Sequence, residues 1–186
     1  MPTKPKPMFA NLEYTALLKE AATRHKEIRH SEQECHFVKL VLSADPVQKA
    51  TYWTSFFTKL KNTLKPGIAL IAVSYESDYE DTGDDKTLSH RHGSFIILEK
   101  VKAGNDADRD EVLDRTERIA HEVMGFVLQA FRSPEARRQG RFINRSNMAL
   151  DAIGPVAENH YGNQFTFLFT QPATKALAFN PDAFTA

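Results

Sequence analysis

Gly67-Ile-Ala-Leu-Ile-Ala-Val-Ser-Tyr75, Glu76-Ser-Asp-Tyr-Glu-Asp-Thr-Gly-Asp-Asp85 and Gly93-Ser-Phe-Ile-Ile-Leu-Glu-Lys-Val101 decide how this chain folds. The first and third segments are apolar runs of strand length, and the second is a dense acidic connection containing a glycine. Two such runs around a polar, Gly-bearing link read as a long β-hairpin with a charged tip. That hairpin is the expected centre of the fold.

On the N-terminal side, Met-Pro-Thr-Lys-Pro-Lys-Pro alternates proline with lysine and reads as an extended arm over residues 1–8. From Asn11, Tyr14, Leu17, Leu18, Ala21, His25 and Ile28 fall on one helical stripe, with Asn11 as the expected N-cap. Cys35-His-Phe-Val-Lys-Leu-Val-Leu42 is rich in β-branched and aromatic residues and reads as a strand. Asp45-Pro46 is a helix-start signal, and Trp53, Phe56, Phe57, Leu60 and Leu64 repeat at helical spacing until Lys65-Pro66-Gly67 stops them.

On the C-terminal side, Asp108, Asp110 and Glu111 suit the positive end of a helix dipole. Val112, Thr116, Ile119, Val123, Phe126, Val127 and Ala130 mark that helix's buried face, and Ser133-Pro134 ends it. An arginine-rich connection precedes two strands, Met148–Ala157 and Gln164–Thr170, the second alternating Phe165, Phe167 and Phe169 onto one face. The order helix, strand, helix, strand, strand, helix, strand, strand implies an α+β domain. Its sheet is mostly antiparallel, with helices packed on one face. The expected organisation is an arm (residues 1–8), a single domain (9–171) and a C-terminal tail (172–186).

The totals narrow the function classes. Lys plus Arg equals Asp plus Glu, 24 each in 186 residues, so no global field favours nucleic acid or an anionic membrane. A single cysteine, Cys35, excludes an intramolecular disulfide and any CxxC metal site. No apolar run approaches the roughly 20 residues that span a bilayer, and the basic N-terminus has no apolar core behind it. Synthesis and first folding in a cytoplasm are expected.

Catalytic motifs are scarce. Asp78-x-Glu80-x-Thr82-Gly83 imitates the opening of an EF-hand loop, but Ser89 stands where the bidentate glutamate is needed, and strands flank it. His90 and His92 lie on one side of a strand and could ligate a metal with the neighbouring acids. Strand-end histidines near acids are more often hydrogen-bonded surface groups. G-x-S-x-G, Walker A and G-x-G-x-x-G patterns are all missing from the sequence. No cofactor and no resident metal are expected. Arg132, Arg137, Arg138, Arg141 and Arg145, opposed by Glu135, could contact phosphates or pair with carboxylates across a subunit interface.

Ile71-Ala-Val-Ser-Tyr-Glu-Ser-Asp-Tyr-Glu-Asp-Thr-Gly-Asp-Asp85, then Gly93-Ser-Phe-Ile-Ile-Leu98, an acidic-start helix and two closing strands resemble the tail terminator (tail completion) proteins of long-tailed bacteriophages and prophage elements. Tyr79-Glu80-Asp81 and Gly83 occupy the turn, and the resemblance covers roughly residues 67–171. It implies a non-enzymatic virion subunit that forms a ring, usually a hexamer, made in the host cytoplasm. The ring caps the tail-tube protein and meets the head connector. On this expectation Asp78, Glu80, Asp81, Asp84 and Asp85 form one contact. Arg137, Arg138 and Arg141 serve a second contact or face DNA in the ring lumen. The alternatives are a contractile injection-system cap, a metal-dependent hydrolase using His90, His92 and the acids, and a nucleic-acid module resting on the arginines. The helix expected from Asp45 to Leu64 and the proline-bearing tails depart from the compact family pattern.

Overall fold

A computed structural model describes residues 9–42, 55–56, 66–83, 86–156 and 159–183. Its elements are α1 (Asn11–Arg24), β1 (Phe37–Leu40), β2 (Ala69–Asp81), β3 (Thr87–Lys100), α2 (Asp106–Phe131), α3 (Pro134–Arg138), β4 (Phe142–Val156), β5 (His160–Pro172) and α4 (Thr174–Leu177), followed by a 3₁₀ turn at Pro181–Ala183. The strands form one sheet in the order β1-β2-β3-β5-β4. Every pairing is antiparallel except β1 with β2, which is parallel and needs a long crossover between them. The helix expected from Asp45 to Leu64 would lie in that crossover, outside the described residues except for Ser55 and Phe56, which are helical. The fold is α+β, as the pattern of elements implied.

α1 and α2 cover one face of the sheet. The stripe read from sequence is largely the buried one: Val112, Thr116, Ile119, Val123 and Val127 of α2 are buried, joined by Met124 and Phe131. They meet Phe95, Phe165, Phe167 and Phe169, whose alternation puts all four rings on the helix side. Phe95 and Phe165 stack with ring centroids 5.6 Å apart. Gly93 makes room for this layer, because a Cβ there would stand 2.8 Å from Cζ of Phe167. Each fully buried ring or branched aliphatic contributes about 1.5–3 kcal/mol, so this cluster is the main source of stability. On the other face Leu40, Ile71, Val73, Ile96 and Leu98 form a smaller cluster with Phe56 packed on it.

Several local expectations change. Helix α1 does begin at Asn11, but Ala10 is its N-cap, and the Glu13 carboxylate accepts the Ala10 N–H at 2.9 Å. Ser133 does not merely stop α2. Its hydroxyl accepts the Ala136 N–H and starts α3, which Pro134 enters at a position where no N–H is needed. The arginine-rich connection is therefore ordered, and β4 begins at Phe142, six residues before the expected strand. β1 is only the central part of Cys35–Leu42. Beyond Pro172, Ala173 is fully buried and its N–H bonds Thr87 O at 2.8 Å, tying the start of the expected tail to the hairpin.

Candidate functional site

The largest revision concerns the acidic segment. It is not a turn but the outer half of a strand: Glu76 to Asp81 pair with His92 to Thr87, and only residues 82–86 connect β2 to β3. A bulge between Val73 and Glu76 interrupts the β2–β3 ladder and resets the alternation. Beyond it, Glu76, Asp78 and Glu80 stand on the face away from α1 and α2, opposite His92, His90 and Leu88 in register. β1 pairs with β2 only as far as Val73, so among the described residues the outer edge of Ser74–Asp81 has no strand beside it. Charged side chains on such an edge resist indiscriminate strand pairing.

Register alone puts carboxylates and imidazoles together. Nε2 of His90 lies 2.8 Å from Oε2 of Glu80, and Nδ1 of the same ring lies 3.0 Å from the Thr170 hydroxyl on β5. His92 Nε2 stands 3.6 Å from Oδ2 of Asp78. The face is thus a ladder of three carboxylates and two imidazoles on adjacent strands. Asp81 points the other way and closes the connection, accepting the Gly83 N–H at 2.9 Å. Tyr79 is 54% exposed on that same helix-side face, beyond the helices. Asp84 and Asp85 lie outside the described residues. His90 is hydrogen-bonded, whereas exposed His92 only faces its carboxylate at 3.6 Å; among the described residues no three His, Cys, Asp or Glu side chains come together as metal ligands would.

The arginines divide into two sets. Arg137 and Arg138 are exposed on α3, close to the start of β4. Arg141 is half-buried, with its guanidinium 5.1 Å from the centroid of the Phe9 ring. Desolvation lowers the Arg141 pKa from its ordinary value, and Glu13 opposes that shift.

Phe9 is the residue that sequence reading missed. Its ring packs edge-on against Phe131 and Phe169, at 5.4 and 5.8 Å. Its N–H donates to Gln171 Oε1 at 3.0 Å, and its carbonyl accepts from Gln171 Nε2 and from Nη1 of the buried Arg91. Arg91 also donates to the Tyr75 hydroxyl at 2.6 Å and lies 4.6 Å over that ring. The one available signal was parity: Arg91 shares the side of β3 that carries Gly93, Phe95 and Ile97, so it had to enter the core face.

The site residues therefore gather at one end of the sheet. Asp78, His90, Thr170 and Phe142 lie on one cross-strand row from β2 through β3 and β5 to β4. The acidic ribbon and the arginine corner sit at opposite sides of that row, about 14 Å apart for three strand spacings. Phe142 is 51% exposed at the arginine side. No family model matches the chain, and no curated protein matches it.

Proposed function

We propose that this protein is a structural assembly subunit, a tail-terminator-like component of a virion tail. It closes into a ring, caps the tail-tube protein and presents a surface to the head connector. The observation that carries this reading is the placement of an acidic ribbon and a basic corner at the same end of one sheet but on opposite sides of it. Two different, complementary patches give a head-to-tail contact, and such contacts close into rings when the rotation permits. Asp78 and Glu80 supply the acidic patch, while Asp81, on the opposite face, holds the connection beside it. Arg137 and Arg138 supply the basic patch, and Arg141 holds the Phe9 anchor behind it.

The hairpin and the two closing strands support the resemblance through their order and antiparallel pairing. A contractile injection-system cap uses the same assembly logic and is the nearest alternative. The hydrolase reading gains no support, because each imidazole Nε2 faces its own carboxylate as a separate pair. Mass photometry over a concentration series, with and without tail-tube protein, tests the proposal. Closed rings are expected, and monomer under every condition would overturn it.

A further inference from the structure

From the two exposed aromatic side chains of the sheet, we infer that Tyr79 and Phe142 anchor the contact between copies, one on each of the surfaces that meet. This inference rests on the ring reading above and names the residues that hold the ring closed. An exposed ion pair strengthens a contact by about fivefold at best. Asp78, Glu80, Arg137 and Arg138 therefore orient two copies more than they hold them together. A lasting contact needs apolar area at its centre, and aromatic and arginine side chains supply it most often.

Among the described residues, the strands expose two large apolar side chains, Tyr79 at 54% and Phe142 at 51%. Singly, such residues are ordinary. Their placement is not scattered. Tyr79 stands between Asp78 and Glu80 on β2, and Phe142 opens β4 directly after the arginine corner. Phe142 shares the cross-strand row of Asp78, and Tyr79 is the next residue along β2. β1 leaves β2 at Val73, so among the described residues neither flanking strand is paired on its outer side at this level. A head-to-tail contact brings these two edges of neighbouring copies together. Tyr79 pairs with Ser89 on the helix side, whereas Phe142 pairs with Thr170, whose hydroxyl meets His90 on the other side. The two rings therefore cover opposite sides of the seam. At the arginine corner a guanidinium over the Tyr79 ring adds to the burial. The chain already uses this pairing twice, with Arg91 4.6 Å over Tyr75 and Arg141 5.1 Å from the Phe9 centroid.

The test is sedimentation velocity of the full chain over a dilution series, comparing wild type with Tyr79→Ser, Phe142→Ser, Tyr79→Phe and Phe142→Tyr. Both side chains are exposed, so the substitutions leave the core intact, and circular dichroism verifies folding. The expected result is an association constant at least about tenfold lower in each serine variant. The aromatic replacements should assemble as wild type does. An unchanged constant in either serine variant, while wild type assembles, would overturn the inference and leave the ring standing. Absence of assembly in the wild type at every concentration would overturn the ring reading, and the inference with it.

Discussion

Replacing Tyr14 with phenylalanine removes one oxygen atom and, by the structure, unpins the first helix from the sheet. Tyr14 is 2% exposed. Its hydroxyl donates to Ser94 O at 2.8 Å and accepts the Ser94 N–H at 2.9 Å. Ser94 lies where the β2 bulge breaks the ladder to β3, so the hydroxyl takes up both of its backbone groups. Burial raises the Tyr14 pKa far above its ordinary value, so the O–H remains a donor at any working pH. Phenylalanine fills the same space, which leaves hydrogen bonding as the difference. A buried donor or acceptor left without a partner costs about 1–3 kcal/mol, so the two together should cost about 3 kcal/mol. For a domain of this size that corresponds to a fall in Tm of roughly 6–12 °C.

Urea unfolding should show a lower midpoint with an unchanged slope. Hydrogen exchange should show the Ser94 amide losing protection first. A Tyr14→Phe protein within about 0.5 kcal/mol of wild type, with the Ser94 amide still protected, would rule out this role for the hydroxyl. It would mean that the bulge satisfies its backbone by another route.

Phe9→Ala should lower stability by about 2 kcal/mol, because it removes a partly buried ring from between Phe131 and Phe169; thermal unfolding reads this directly. Gly93→Ala should cost about 1–3 kcal/mol by forcing a methyl against the Phe167 ring, and a crystal structure would show that ring displaced. Glu122 provides a pH test. The hydrogen bond from His25, with that from Arg118, lowers its folded-state pKa. Its contribution is therefore present above the unfolded carboxyl pKa and lost as pH falls through the folded one. Glu122→Gln should be less stable than wild type by about 0.5 kcal/mol at neutral pH, and the gap should close as pH falls through the carboxylate range.

The fold was legible where one periodicity dominated. Phe165, Phe167 and Phe169 alternate cleanly, and Val112 to Val127 repeats at helical spacing, so β5 and α2 could be read directly. The acidic segment misled because β-propensity scales disfavour Asp and Glu, whereas here they occupy the solvent face of a strand that His90 and His92 pair from across the hairpin. Its alternation, Glu76, Asp78 and Glu80 against Ser77, Tyr79 and Asp81, was the available clue. β4 was hidden for a similar reason: its exposed first residues, including Asn144, Arg145, Ser146 and Asn147, carry no apolar pattern. The Phe9 anchor was legible only through the parity of Arg91, since it joins residues 162 positions apart through a glutamine amide. The ladder of carboxylates and imidazoles depended on register, which one extra residue in β2 shifted.

Charge exchange probes the head-to-tail contact between the acidic ribbon and the arginine corner. One protein carries Asp78→Lys and Glu80→Lys, the other Arg137→Glu and Arg138→Glu. Each alone sets like charges against each other at every contact. Mixed in equal amounts they restore opposite charges at both kinds of contact around an alternating ring. Mass photometry should show closed rings for wild type, none for either variant alone, and rings again for the mixture. Rings in either variant alone, or none in the mixture while wild type assembles, would rule out this contact.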